Sequence, residues 1–132
     1  MIDLLLDTHI VLALVEEREN ELPSAMQHAL LTEGNLSWVS VASLWEIEIK
    51  SRIGKLDLDI PLSNWPDALF LIGIRLAPVE FGHVIAEIGP EPSTKDPFDR
   101  LLLSTAAAFR LQLVTLDRKL VDHPLAWRPF PS

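Results

Sequence analysis

Apolar and polar positions along the chain alternate between short apolar runs and longer stretches with helical spacing. Residues 2–6 (IDLLL) form a nearly continuous apolar run, the pattern of a strand covered on both faces in a parallel sheet. A helical stretch follows to about Val15, with Asp7 or Thr8 as its cap. Pro23 starts a second helix and Gly34 ends it, the order helices favour. Residues 36–39 predict a second strand. The run VASLWEIEIKSRI then predicts a helix opened by Ser40 or Ser43 and closed by Gly54. Residues 56–66 are turn-rich, and Pro66 begins another helix to about Ile72. Residues 74–79 read as a strand that Pro78 confines to a sheet edge or to the strand's end. A short helix over 81–88 and the loop GPEPST come next.

The stretch KDPFDRLLLSTAAAFRLQLVTLD, residues 95–117, condenses the same grammar. Asp96 is a good N-cap, Pro97 suits the first helical position, and Asp99 falls in the first turn, where the helix dipole favours an anion. The helix gives way to a short strand, Leu113-Val114-Thr115, and then to Asp117. A short helical piece over 118–121 and an irregular tail with Pro124, Pro129 and Pro131 complete the chain. Strands separated by helices predict an α/β layer fold with a mainly parallel sheet, and 132 residues without a linker predict one domain, residues 1–132.

Charge changes this picture in one respect. The net charge is −8, and all of it resides in residues 1–49, which hold nine acids and one base. Such a chain is not a non-specific nucleic-acid binder, since that affinity comes from Lys and Arg. Nucleic-acid chemistry would need metal ions or a local basic rim, for which Lys50, Arg52, Lys55, Lys95, Arg100, Arg118 and Lys119 are candidates. The acidic run at 16–21 reads as a solvated loop or helix end. Cysteine is absent, which excludes disulfides, thiolate catalysis and sulfur-bound zinc. No apolar run reaches membrane-spanning length, and the N-terminus carries acids where a signal peptide needs bases. The expectation is a soluble, cytoplasmic protein.

Four acids occupy matching places in the predicted fold. Asp7 and Asp117 each follow a strand, where open α/β sheets bind ligands. Glu46 and Asp99 each sit early in a helix. Asp7, Glu46 and Asp99 each have an ordinary reading too, as does Asp96. Asp7 and Asp96 serve as caps, and Asp99 as a dipole partner. Glu46 reads as the far end of a capping box with Ser43 or as the i,i+4 partner of Lys50. A helical wheel places Glu48, not Glu46, in the middle of the apolar face, so spacing alone leaves the two open. His9 beside an apolar helix is assigned no role. Right-handed crossovers bring strand ends to one side, so the four acids could converge. Converging carboxylates stay ionised only with a cation among them, and oxygen-only ligands suit Mg²⁺ or Mn²⁺. Two such ions about 3.5–4 Å apart would clamp the attacking water and leaving oxygen of a phosphodiester.

The segments LLLDTHIVL, SVASLWEIEIKSRIGKL, KDPFDRLLLSTA and LVTLD resemble, in order, the motifs of PIN-domain ribonucleases, and above all the VapC-type toxins of type II toxin–antitoxin modules. The resemblance runs from about Ile2 to Asp117. It implies a three-layer α/β/α domain and an endoribonuclease dependent on one or two Mg²⁺ or Mn²⁺ ions. It also implies an RNA substrate, a homodimer and a cognate antitoxin. Carried over by position, it implies that Asp7, Glu46, Asp99 and Asp117 are catalytic and hold the metal, which selects Glu46 over Glu48. Asp96 stands beside them as a cap or an acid supporting the ligands, or as an alternative ligand, and Thr115 as a hydrogen-bond partner of an acid or a metal-bound water. Lys50 and Arg100 could meet RNA phosphates or serve in salt bridges. Three positions depart from the pattern: Thr94 in place of a histidine, Ala13 in place of a tryptophan, and no glycine between the long helix and the last strand. The alternative is a non-catalytic PIN-like module that binds metal or a partner. A phosphorelay receiver would need a paired acid before Asp7, and a haloacid-dehalogenase-type phosphatase would need an aspartate at His9. Neither is present.

Overall fold

The computed structural model describes residues 1–129. Four strands form one sheet, all parallel: β1 (Asp3–Leu6), β2 (Leu36–Ser40), β3 (Ile74–Ala77) and β4 (Gln112–Val114), in the order β3-β2-β1-β4. Six helices connect or flank them: α1 (Thr8–Val15), α2 (Ser24–Leu31), α3 (Val41–Arg52), α4 (Trp65–Leu71), α5 (Phe81–Ile85) and α6 (Pro97–Phe109). The parallel sheet is therefore as the apolar runs predict, and the three-layer α/β/α form is as the resemblance implies.

The alternation of β1 explains the layers. Leu4 and Leu6 face one side with Val39 and Val114, packed on Ile10, Val11, Ile47 and Trp65. Leu5 and Leu113 face the other, against Leu102, Leu103 and Ala106 of α6. All three β1 leucines are fully buried. At about 1.5–3 kcal/mol per buried side chain, a one-residue slip of this strand would be prohibitive, so the position of Asp7 at its end is fixed.

Details depart from the sequence reading where local chemistry wins. β3 ends before Pro78, as an edge strand should. α5 stops at Ile85 rather than 88. Residues 118–121 make a single turn, with the Leu120 and Val121 amides donating to the Asp117 carbonyl, rather than a helix. The tail is not wholly irregular. Leu113 N–H donates to Leu125 O, and Trp127 N–H to Leu113 O, each at 2.8 Å, so the tail covers the β4 edge. Pro131 lies outside the described residues. The missing glycine after α6 does not remove the left-handed cap. Arg110 takes it, at φ 58° and ψ 46°, and Leu111 N–H closes the turn on Ala106 O at 2.9 Å.

Candidate active site

The chain runs outward from β1 through β2 to β3, then returns to lay β4 on the other side of β1. The carboxyl ends of β1 and β4 therefore flank the point where strand order reverses, the place such sheets use for ligands. Asp7 sits there. Its amide donates to Val114 O of β4 at 3.0 Å. Its Oδ1 accepts from Thr8 N at 2.7 Å, capping α1, and its Oδ2 accepts from Thr115 Oγ1 at 2.6 Å. Asp7 is buried. Burial raises its carboxyl above the ordinary range, against the opposing hydrogen bonds from Thr115 and Thr8 and the charge of His9, and with a further upward push from Glu46.

α3 delivers Glu46. Ser40, not Ser43, is its N-cap, accepting from Ala42 N at 3.0 Å. The capping-box reading of Glu46 thus fails, because Glu46 lies deeper in the helix than a box partner would. The Ser43 hydroxyl is buried without a hydrogen-bond partner among the described residues. Glu46 is held otherwise: Thr8 Oγ1 donates to Oε1 at 2.6 Å, and Lys50 Nζ to Oε2 at 2.9 Å. Glu48 points elsewhere and pairs with Arg52 at 3.0 Å on the solvent side. The helical wheel misplaces Glu48 because α3 is only weakly amphipathic, so a small error in its axial rotation exchanges neighbours.

α6 delivers the next pair. Asp96 is its N-cap, accepting from Phe98 N at 2.8 Å. Asp99 is buried in the first turn, and its Oδ2 accepts from Thr94 Oγ1 at 3.0 Å. The same hydroxyl accepts from Asp96 N at 3.2 Å, so Thr94 ties the two acids' segments together. Burial drives the Asp99 carboxyl up to about 6. The charges of Asp96, Asp117 and Asp7 push the same way, and the Thr94 bond opposes them. Asp117 is half-buried; its amide donates to Thr115 Oγ1 at 3.0 Å, and its Oδ1 accepts from Lys119 N at 2.9 Å.

The acids predicted from sequence thus lie within electrostatic reach of one another, with Asp99 feeling Asp96, Asp117 and Asp7, and Asp7 feeling Glu46. They do not close around a point: among the described residues, no three acidic or histidine side chains are placed to hold one ion as they stand. The donor chemistry nonetheless fits a hard divalent cation. It is all oxygen, and two of its carboxylates are pushed up by burial and by their neighbours' charge, the cost a cation would remove. The roles of Thr8 and Thr94 are not legible in the sequence: Thr8 adjoins Asp7 and looks like a cap, and Thr94 stands where the resemblance leads one to expect a histidine. Lys50 and Arg100 both prove to be salt-bridged, to Glu46 and Glu91.

A family model for the PIN domain matches residues 4–124. Among solved structures, a chain of a toxin–antitoxin complex from Klebsiella pneumoniae superposes with a TM-score of 0.59 at 16% identity. The match covers 96% of this chain and 97% of that one. Likeness at that identity speaks for the fold. No curated protein matches the sequence.

Proposed function

The chain belongs to the PIN domain family, and from that footing we propose that it is a metal-dependent endoribonuclease, the toxin of a toxin–antitoxin module. The carrying observation is the convergence of Asp7, Asp99 and Asp117 at the strand-order reversal, with Glu46 reaching in through Thr8. Asp7, Glu46, Asp99 and Asp117 would hold Mg²⁺ or Mn²⁺, as one or two ions, with Asp96 beside them. A bound ion of this kind supplies acidification of a water and neutralisation of phosphate charge.

The chain's own residues do the positioning. Thr115 and the Thr8 amide fix both oxygens of Asp7, and Thr8 and Lys50 fix both oxygens of Glu46. Such hydrogen bonds to the far side of a ligand fix its orientation toward a metal. Without an ion, burial raises the Asp99 carboxyl to about 6, and a bound cation would favour its charged form. An all-oxygen donor set of this kind favours hydrolysis by an activated water.

The toxin role brings an antitoxin as partner and the cytoplasm as location. Among the described residues no helix is long and apolar enough to cross a membrane. A homodimer would have apolar surface to use, since Phe70, Leu71 and Phe81 are largely exposed. The second reading, a PIN-like module that binds but does not cut, draws on the absence of a preformed three-ligand cluster among the described residues. One assay separates them: RNA cleavage by the purified protein with Mg²⁺ or Mn²⁺, and with EDTA. Cleavage that EDTA stops and Asp7→Ala abolishes is expected. A folded protein that cuts no RNA with either ion would leave the binding module standing.

A further inference from the structure

His123 is a buried histidine that lies outside the acid cluster, in the segment that follows Asp117. Both of its ring nitrogens meet backbone groups. Nδ1 accepts from Leu125 N at 3.1 Å, so the hydrogen of the neutral ring sits on Nε2. Nε2 then donates to Pro90 O at 2.8 Å, in the loop that leads into α6. One tautomer of one side chain thus pins the loop over 86–96 to the segment over 118–129.

Each side of this bond runs on to an acid. On the tail side, His123 N donates to Leu120 O at 3.0 Å, and Leu120 N donates to Asp117 O at 2.9 Å. On the loop side, Glu91 follows Pro90 and is gripped by Arg100 of α6, with Nε 2.7 Å from Oε1. Thr94, near the end of the same loop, donates to Asp99 Oδ2 at 3.0 Å. The support of the ring rests on the sheet, since Leu125 O accepts from Leu113 N of β4 at 2.8 Å. Among the described residues no other hydrogen bond joins the two segments. Ile88 and Leu120 share a core across the same junction, but apolar contact has no direction, whereas a hydrogen bond has both length and direction. Asp117 lies close enough to Asp99 for its charge to add to the upward push that burial gives the Asp99 carboxyl.

We propose that His123 is a positioning residue: through Pro90 it sets how far Asp99 stands from Asp117, and so fits the two acids to a shared divalent ion. This rests on the metal-dependent nuclease reading and adds to it a residue outside the acids that adjusts them. Like-charged carboxylates repel, so the segments that carry them need a tie to stay within reach of one ion. A Mg²⁺ ion tolerates little error, since its ligands must stand about 2.0–2.1 Å away in octahedral geometry. A histidine bridging two backbone segments supplies that tie without offering a ligand itself.

Glutamine and asparagine each copy one ring nitrogen, which separates the two bonds. In His123→Gln the amide nitrogen stands near the place of Nε2 and still donates to Pro90, while the acceptor for Leu125 is lost. In His123→Asn the amide oxygen stands near the place of Nδ1 and still accepts from Leu125, while the bond to Pro90 is lost. The test is Mn²⁺ calorimetry, amide exchange and urea unfolding on the full chain. His123→Asn should weaken Mn²⁺ binding about tenfold and speed exchange of the Asp96 and Phe98 amides, which Thr94 and Asp96 hold. His123→Gln should keep wild-type Mn²⁺ affinity even where its urea midpoint falls. In the wild type, the ring nitrogen signals of His123 should show the Nε2–H tautomer and shift as Mg²⁺ is added. Wild-type Mn²⁺ affinity in His123→Asn, an equal loss in both variants, or ring signals that stay still at saturating Mg²⁺ overturns the proposal. If wild type binds Mn²⁺ and His123→Asn binds it equally well, the positioning role falls and the metal site stands. If wild type binds no divalent ion, both fall.

Discussion

Thr115 Oγ1 donates to Asp7 Oδ2 at 2.6 Å across 108 residues of chain, joining the carboxyl ends of β1 and β4 by one buried hydrogen bond. Burial raises the Asp7 carboxyl, and this bond opposes that shift together with the Thr8 amide and the charge of His9. Thr115→Val keeps the shape and deletes the donor. It should cost about 1–3 kcal/mol, the range for a buried acceptor left unmatched, seen as an earlier urea midpoint at unchanged slope. Thr115→Ser should restore both stability and cleavage. Full activity in Thr115→Val would show that Asp7 needs no such support.

Asp99 sets a pH dependence whose sign is opposite to the usual one. Its folded carboxyl lies near 6 and its unfolded one near the ordinary 3.8. Between these values the folded state binds more protons, so stability falls as pH rises. The protein without divalent ions should therefore lose melting temperature as pH goes from about 4 to about 6 and level off above. Asp7, shifted in the same direction, adds to the trend. Asp99→Asn should flatten the profile and raise stability at neutral pH while abolishing cleavage. Thermal melts from pH 4 to 8 decide it, and a wild-type melting temperature that climbs over this interval would refute the assignment.

Mn²⁺ added at neutral pH should reverse that loss. If the acids hold the ion, EDTA-treated protein should gain melting temperature in proportion to the logarithm of added Mn²⁺. Glu48→Gln, on the solvent side of α3, should leave that gain untouched, whereas Glu46→Gln should reduce it.

Thr94 is the hydroxyl that orients Asp99, standing where the resemblance leads one to expect a histidine. Thr94→Val should weaken Mn²⁺ binding by about 10–100-fold, the usual effect of losing a partner of a metal ligand. Thr94→Ser should bind normally. Calorimetry on the two variants checks this, with circular dichroism to confirm that the α6 entry is intact.

Arg110 occupies the left-handed cap of α6 at φ 58°. A side chain there costs about 1 kcal/mol that glycine avoids. Arg110→Gly should raise stability by up to about that amount and leave cleavage unchanged, as read by urea unfolding.

The chain's own pattern determined the alternation of strands and helices, the burial of β1 on both faces, and the edge placement of β3 by Pro78. Those follow from periodicity and from proline's missing donor, which are local properties. It also marked Asp7, Asp96 and Asp99 as residues at element ends, where a cap and a ligand look alike. What only the tertiary structure decided was which of these ends face each other. Sheet order put β4 beside β1, and so put Thr115 against Asp7. The rotation of α3 turned Glu46 toward Thr8 and Glu48 toward Arg52, and no count of residues could do that, because adjacent positions on a weakly amphipathic helix differ only in what the fold packs against them. Arg110 in a glycine's conformation makes the same point. A cap one residue long can be strained when a whole core closes over the helix it ends, and the sequence shows the residue but not the closure.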